Sequence, residues 1–457
     1  MNKQSPVSPV MRDLSAYIAA APRRALPAAV REKTQHHVLD TIAAMISGSQ
    51  LKPGMKAISY VKTLGGTKEA SVLGSRVLTT AINAALANGM LAHADETDDS
   101  HAPSLTHPGC GIVPAALAMA ERQGQSGTAL LRAVALGYDV GSRLTLSLNP
   151  SEFREDGHST HSFGPMFGAA AAAGALAGLR ERQVRHLLSF TAQQASGVSC
   201  WARDGEHIEK AFDFGGMPAR NGVAAATMVA HGFSGVDDVF SGERNFFVAF
   251  GRKPQPQELV RGLGVDYEIM NTNIKRWSVG SPIQAPLDSL HALLHEHQFA
   301  VDEIAKVVVR VSHQGANTVD NRDMPDICMQ HMCAVMLLDR TASFVSSHDT
   351  RRMRNRAVLD LRSRIELHGD DALTAAMPSR QGIVEIFLRD GRRLSHHTPA
   401  VRGAAENPMT RAEVEEKSYD LIAPVIGAAR ARKLCAAIWN LEKLHDVRGL
   451  RPLWQRK

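Results

Sequence analysis

Segments with helical spacing follow one another along most of the chain, and this pattern constrains the fold more than any other feature. From about Val10 to about Leu263, Ala- and Leu-rich runs place apolar residues on one face of a helix, with short turns of Gly, Ser and Pro between them. No fixed repeat period is present, which argues against a solenoid. Aromatic residues make up only 5% of the chain, which favours closely packed helices over a β-sandwich.

The pattern changes after about residue 265. Stretches of alternating and β-branched residues predict strands, and Asp390-Gly391 is a strong hairpin signal. The predicted elements are strands at 304–313 and 363–370, a hairpin at 382–397 and a helix at 329–345. Helical spacing then returns with a capping-box pattern at Thr410 and Glu413.

This order predicts a mainly α fold with one domain inserted in another. The large all-helical domain is formed by both termini, residues 1–267 and 399–457, and the smaller α+β lid domain covers residues 268–398. A domain joined by two crossings can hinge, and clefts between domains are preferred ligand sites.

The composition excludes several functions. The net charge of +6 is mild for 457 residues, and no basic stripe interleaved with aromatics predicts nucleic-acid binding. The most apolar tract, 163–179, is short and consists mainly of Ala and Gly, so we interpret it as a packed helix rather than a membrane span. Residues 1–10 lack the apolar core of a signal peptide, and five scattered cysteines argue against a disulfide framework. A soluble, cytoplasmic protein without a membrane partner is predicted.

The segment HADETDDSHAPSLTH, residues 93–107, concentrates titratable groups in one bend. It is open to three interpretations: a metal site, an acid–base site or a solvated loop. The spacing of His93, His101 and His107 matches no common zinc-ligand pattern, so no metal is predicted. The other two interpretations stay open on this segment alone.

Three further segments carry groups capable of chemistry. His158, Thr160 and His161 lie at a predicted helix entrance, where free N–H groups favour anions or simply a cap. Lys210 precedes a Gly-rich approach of the backbone, although a lone lysine is usually solvated. The third segment, 273–290, contains Lys275, Arg276 and Gln284, which suit a carboxylate clamp or a basic linker.

Several familiar site types are absent from the sequence. No Walker loop, no dinucleotide-binding GxGxxG after a strand and no GxSxG elbow is present. The cluster Cys328, His331 and Cys333 lies in an apolar, Met-rich helical run and is interpreted as core rather than as a zinc site. The remaining reactive side chains are those of His, Lys, Asp and Glu. They suit removal of a proton from a carbon next to a carboxylate, with cations stabilising the enediolate that forms.

Four of these segments, in this order, resemble the MmgE/PrpD family, which includes 2-methylcitrate dehydratases, cis-aconitate decarboxylases and iminodisuccinate epimerases. The chain has NGMLAHADETDDSH at 88–101, where members typically carry NGxxxHALDFDDTH, and then His107-Pro108. The family's GxHxTxxxG element is matched by His158, Thr160 and Gly164. A lysine before a Gly- and Ala-rich segment corresponds to Lys210, and a second lysine to Lys275.

The resemblance implies a helical domain with an α+β lid, an active site between them, a homodimer, and catalysis without cofactor or metal. It also implies which residues form the site. The catalytic residues are expected to be Asp95, Glu96, Ser100, His107, His158, Lys210 and Lys275, and the substrate-binding residues His101, Thr160, Arg276 and Gln284. Glu96, Ser100 and Gln284 depart from the family, which usually has Asp, Thr and His there.

The predicted function is that of a cofactor-independent lyase, a hydro-lyase similar to 2-methylcitrate dehydratase, acting on a small di- or tricarboxylate. His158 or His107 moves the proton, Asp95 and Glu96 tune it, and Lys210 and Lys275 bind carboxylates. An epimerase and a cis-aconitate-type decarboxylase are alternatives. A non-catalytic helical binding protein is the alternative from another class.

Overall fold

The computed structural model describes residues 7–456 and divides the chain into two compact units. The first unit is formed by the chain up to Thr272 and again from Val414, and the second unit is Asn273–Glu413. Residues 1–6, on which the prediction of no signal peptide partly rests, lie outside the described residues. The predicted bounds of the inserted domain and its role as a lid stay predictions.

The first unit consists mainly of helices, with two short strands that pair antiparallel. Its elements before the second unit are α1 (Pro9–Ala20), α2 (Ala28–Gly48), α3 (Lys52–Leu64), β1 (Ala70–Ser71), β2 (Leu78–Thr79), α4 (Ala81–Ala92), α5 (Pro108–Gln123), α6 (Gly127–Ser147), α7 (Pro150–Glu155), α8 (Thr160–Leu176), α9 (Glu181–Gln193), α10 (Ile208–Ala211), a π-helix (Phe212–Gly216), α11 (Met217–Ala230) and α12 (Phe246–Phe250).

Helix α8 lies at the centre of this unit, packed against α5, α6 and α11. Its small side chains allow this packing. A Cβ added to Gly168 would lie 2.4 Å from the carbonyl oxygen of Gly137 in α6, so only glycine fits at this contact. The interpretation of 163–179 as a tightly packed helix is confirmed, since α8 is buried over nearly its whole length. Among the described helices, none combines the length and apolar character that crossing a membrane requires.

The second unit combines short helices with a four-stranded sheet. Its elements are α13 (Ser281–Glu296), β3 (Ile304–Val311), α14 (His313–Val319), α15 (Met329–Asp339), α16 (Phe344–Ser347), α17 (Arg356–Arg362), β4 (Ile365–Gly369), α18 (Asp371–Ala375), β5 (Gly382–Leu388) and β6 (Arg393–Thr398).

The sheet has the strand order β4-β3-β5-β6 and is mixed. Strand β3 pairs parallel with β4 and antiparallel with β5, and β5 continues through the predicted hairpin into antiparallel β6. Helix α13 packs on β5 and β6 and against α15, and apolar residues of these elements form one core. A mainly helical protein with a small mixed sheet in its C-terminal region is thus confirmed.

The chain ends in helices, as the returning helical spacing predicts. These are α19 (Arg411–Ile426), α20 (Ala428–Trp439) and α21 (Arg451–Trp454). The capping box before α19 is confirmed, because the Thr410 N–H donates to Glu413 Oε2 over 2.8 Å and the Glu413 N–H donates to Thr410 Oγ1 over 3.3 Å.

Candidate active site

The loop 93–107 connects α4 to α5 inside the first unit, and Asp99 anchors it there. Asp99 Oδ1 accepts the Gly109 N–H at the start of α5 over 2.9 Å. Its Oδ2 accepts the Tyr138 hydroxyl over 2.6 Å and lies 2.6 Å from His37 Nδ1. One buried carboxylate thus joins the loop to α2, α5 and α6. The fully solvated loop considered from sequence does not form, since almost every residue from 93 to 107 is buried or half-buried.

Asp98 lies between two histidines of the same loop. Its Oδ2 is 2.9 Å from His93 Nδ1, and its Oδ1 is 3.2 Å from His107 Nδ1. Burial alone would raise the pKa of Asp98, but the attraction and hydrogen bonds of the two imidazoles hold it well below its ordinary value. An ionised carboxylate only accepts, so each ring carries its proton on Nδ1 and presents the lone pair of Nε2.

Three histidines of the first unit lie around the ring of Phe214. The rings of His93 and His161 stack on it, with centroids 4.2 and 3.8 Å away, and His107 lies 5.2 Å from both of those histidines. Burial, followed by repulsion from His107 and His93, holds the pKa of His161 well below its ordinary value. Within the described part of the chain, His161 Nδ1 is buried without a hydrogen-bond partner.

The π-helix positions Phe214 because it lies directly against α4. A Cβ added to Gly89 would lie 2.3 Å from the Gly215 carbonyl oxygen, and one added to Gly215 would lie 2.1 Å from that of Gly89. This close approach of two backbones places the Phe214 ring beside His93, the residue that follows α4. Single-turn π-helices inside helical runs are frequent at functional sites.

Lys210 and Glu96 form an ion pair next to these rings. The Lys210 ammonium lies 5.2 Å from the Phe214 ring centroid and 5.6 Å from that of Trp201. Its backbone N–H donates to Asp204 Oδ2 over 3.0 Å, which fixes the start of α10. The structure therefore brings together three predicted site residues, namely Glu96, His107 and Lys210, around an aromatic ring.

Other predicted residues of the first unit make local contacts. Asp95 accepts the N–H and the hydroxyl of Thr97 over 3.0 and 2.7 Å. His101 Nδ1 is 2.7 Å from Ser104 Oγ, and its Nε2 is 3.3 Å from Glu268. The Thr160 hydroxyl donates to the Leu105 carbonyl over 2.6 Å and so ties α8 to the loop. Ser100 lies half-buried in the same loop.

His158 lies in a different aromatic cluster. Its ring stacks on Phe153 at 4.5 Å and lies 5.8 and 6.0 Å from Phe163 and Phe250. Its described ring contacts do not include His107 or Phe214. His158 thus stays a predicted catalytic residue, while His161, three positions later, occupies the histidine cluster.

The predicted residues of the second unit lie at its start. The Arg276 guanidinium lies 4.5 Å from the Trp277 ring centroid and 3.8 Å from Asp288. The Gln284 amide accepts the Trp277 N–H over 3.1 Å and donates to the carbonyl oxygens of Trp277 and Val279 over 2.7 and 3.0 Å. Gln284 therefore shapes the turn before α13. The roles predicted for Lys275, Arg276 and Gln284 in binding substrate stay predictions.

Two groups of side chains offer atoms of the kind that ligate metals. One is His93, Glu96 and His207, and the other is His93, Asp98 and Cys110; in each, the ligand atoms lie within 4.8 Å of one another. In the first group Glu96 already neutralises the Lys210 ammonium, which would compete with a metal cation for the carboxylate.

Sequence reasoning missed the central parts of this cluster. Asp98, His207, Phe214 and Trp201 are not among the predicted site residues, and His161 is singled out in the sequence only as part of the helix entrance at 158–161. The aromatic residues on both sides of Lys210 are the one feature of the sequence that could have indicated this cluster. Their contact with the loop 93–107 depends on the packing of α4, α8 and the π-helix, which the sequence does not show.

Known proteins resemble this chain over most of its length. Residues 12–259 match the family model of the MmgE/PrpD N-terminal domain, and residues 277–443 match that of the MmgE/PrpD C-terminal domain. A cis-aconitate decarboxylase-like protein, oryM of Aspergillus oryzae, is 26% identical over 324 residues. The match covers 66% of this chain and 66% of that relative, so the chain spans just under two thirds of its length.

Proposed function

The chain belongs to the MmgE/PrpD family, and we propose that it is a cofactor-independent lyase that removes a proton next to a carboxylate of a small di- or tricarboxylate. The observation that carries this proposal is the pairing of His107 with Asp98 beside the Lys210–Glu96 ion pair. A base, the carboxylate that orients it and a cation are the parts that such a reaction needs.

His107 is the proposed base. Asp98 holds its Nδ1 proton, so Nε2 is free to take a proton from carbon, and the paired carboxylate stabilises the imidazolium that forms. The C–H electron pair passes into the neighbouring carboxylate as an enediolate. The Lys210 ammonium stabilises this charge, and Lys275 is proposed as a second cation for a substrate carboxylate. In a hydro-lyase, the electrons then form a C=C bond as the C–O bond to the β-hydroxyl breaks, and the proton held by the His107 imidazolium passes to the leaving hydroxyl, so that water departs and the base is regenerated.

A decarboxylase is the second candidate, because the relative from Aspergillus oryzae bears a cis-aconitate decarboxylase-like name. There a C–C bond breaks, carbon dioxide leaves, and the carbanion takes a proton from a protonated base. An epimerase would use the same base on one face of the carbon and a second acid on the other. The ring centroid of His161 lies 5.2 Å from that of His107 in the same cluster. No contact of His161 favours it over water as this second acid.

Incubation with a panel of di- and tricarboxylic acids in deuterated water tests the proposal. We expect deuterium at the α-carbon together with a new alkene signal by NMR. Exchange alone would favour the epimerase, and evolved carbon dioxide the decarboxylase. No change with any acid of a broad panel would contradict enzymatic proton transfer and support a binding protein.

A further inference from the structure

His207 has a backbone conformation that residues other than glycine rarely adopt. Its φ of 60° lies in the left-handed region, directly before α10. The ring is nevertheless buried, with 7% of the residue exposed, and lies 5.1 Å from the ring of His93. Strained conformations that the surrounding structure enforces cluster at binding sites. Here the strain turns an imidazole inward, towards the loop 93–107.

The two facing rings each have an unused nitrogen. Within residues 7–456, Nε2 of His93 and Nε2 of His207 are both buried without a hydrogen-bond partner. Buried polar atoms are nearly always paired, and leaving one unpaired costs about 1–3 kcal/mol. Two such atoms on neighbouring rings offer a place where one ligand atom can pair with both.

The hydrogen-bonding roles of the two ring nitrogens limit which kind of ligand atom can pair with both. His93 donates its Nδ1 proton to Asp98, so its Nε2 can only accept a hydrogen bond. Nε2 of His207 is buried beside this ring without a partner, and the nitrogen of a neutral imidazole either donates or accepts a hydrogen bond. A ligand atom shared by both rings must donate to Nε2 of His93, and it accepts from Nε2 of His207 when that nitrogen carries the proton of the neutral ring. A hydroxyl oxygen does both, whereas an ionised carboxylate only accepts.

The distances between the side-chain atoms at this point fit one oxygen atom placed between the two rings. One nitrogen of His93, one of His207 and a carboxylate oxygen of Glu96 lie within 4.8 Å of one another. An oxygen that makes two hydrogen bonds of about 2.8 Å at a near-tetrahedral angle spans about 4.5 Å between its partners. The Lys210 ammonium, which uses one of its three N–H donors on Glu96, has further donors for a carboxylate of the same molecule.

We infer that His93 and His207 form a subsite for the hydroxyl group of a hydroxycarboxylate substrate. The inference rests on the proposed function and refines it, because a hydro-lyase must hold a hydroxyl group that leaves as water. A substrate without this hydroxyl would leave both imidazoles unpaired or would have to trap a water molecule between them.

Pairs of acids that differ only in the hydroxyl test this subsite. Binding of citrate and tricarballylate, and of malate and succinate, is measured by calorimetry to wild type, His207→Phe and His207→Asn. Phenylalanine keeps the ring without nitrogen, and asparagine tolerates the left-handed backbone. We expect the hydroxy acid to bind wild type about tenfold tighter, and both variants to lose this preference. His231→Phe, at an exposed histidine, is the matched control and should keep it.

The other outcomes separate the inference from the function on which it rests. Equal binding of hydroxy and deoxy acids to wild type, or an unchanged preference in both variants, would overturn the subsite, even if α-proton exchange in deuterated water continued. A preference for the hydroxy acid that appears only with added Zn²⁺ and vanishes with a chelator would show that the ring nitrogens of His93 and His207 bind a metal instead. This result would also overturn the hydroxyl subsite. Absence of both binding and exchange would contradict the subsite and the proposed function together.

Discussion

Asp98 decides the chemistry of the cluster at the scale of single residues. It touches both His93 and His107 and is buried, so no water replaces it as their partner. Its negative charge fixes the tautomer of both rings, and each of them thereby presents the lone pair of Nε2. His107 is the more accessible of the two, with 9% of the residue exposed against none of His93.

The substitution Asp98→Asn tests this role. An amide can donate to His107 Nδ1 and would leave the proton on Nε2, which then no longer acts as a base. We expect kcat to fall about 10³- to 10⁴-fold with KM little changed. The exposed Asp360→Asn is the control and should retain full activity. A fall in kcat of less than about tenfold in Asp98→Asn would show that tautomer control is not essential.

Three residues predicted from the sequence lie together in the candidate cluster, and their catalytic roles stay predictions. His107, Glu96 and Lys210 follow from their motifs, because types and spacings of residues are visible along the chain. The meeting of His93, His161 and His207 around Phe214 is not, since ring stacking joins a loop, a helix and a π-helix from separate segments. His158 and His161 illustrate the limit: three positions apart at the start of one helix, they lie in different aromatic clusters.

At the scale of elements, the contact between α4 and the π-helix sets the distance between the loop and Phe214. Gly89 and Gly215 bring the two backbones together, and neither position has room for a Cβ. Because Lys210 and Phe214 lie on either side of the turn from α10 into the π-helix, a shift of this contact would move both the cation and the ring.

We expect Gly89→Ala to destabilise the protein by about 1–3 kcal/mol, because a methyl group is forced against the Gly215 carbonyl. Activity should fall further than the loss of folded protein explains. Thermal unfolding and kcat of the folded fraction are the measurements. Gly205→Ala, where an added Cβ meets no atom within 4 Å, is the control. Equal stability of the two variants would contradict the proposed close contact.

The π-helix also carries a pH-dependent group. Asp213 is buried and accepts the Ser159 hydroxyl over 2.5 Å. Burial raises its pKa to about 7, although the Ser159 hydrogen bond opposes this. The folded protein therefore holds this proton more tightly than the unfolded chain does. The resulting stability is fully present below the ordinary pKa of about 4 and is lost as the pH rises through about 7.

The variant Asp213→Asn should remove this dependence. Its unfolding temperature should vary less with pH between pH 5 and pH 8 than that of wild type, and it should exceed wild type at pH 8. The measurement is thermal unfolding of both proteins at matched ionic strength. A wild-type curve that rises with pH over this range, and that the substitution leaves unchanged, would contradict the assignment.

At the scale of the whole molecule, helix α19 near the C-terminus holds the loop of the first unit in place. Lys417 of α19 is buried and donates to Asp40 in α2 and, over 3.0 Å, to the carbonyl oxygen of Thr97. A residue 320 positions away thus fixes the loop that carries Asp98. Helical spacing predicted α19 and its capping box, because both are local. The pair with Asp40 has no local signal and depends on the whole fold.

Removal of this lysine should affect the entire unit. We expect Lys417→Met to destabilise the protein by about 3–5 kcal/mol, because Asp40 is left as an uncompensated buried carboxyl. Burial raises the pKa of Asp40 to about 6 even with Lys417 present, so the loss should be larger at pH 8 than at pH 5, where Asp40 takes up a proton. The double variant Asp40→Asn/Lys417→Met should recover much of the stability. No recovery in chemical denaturation would contradict the pairing.

His107 is the residue proposed to take a proton from the carbon next to a substrate carboxylate. The most direct measurement is the rate of deuterium incorporation at that carbon for wild type, His107→Gln and His158→Gln, with the acid that gives the fastest exchange. We expect His107→Gln to lose exchange by at least about 10³-fold and His158→Gln to retain part of it. Exchange that persists in His107→Gln and disappears in His158→Gln would contradict the account and assign the base to the other aromatic cluster.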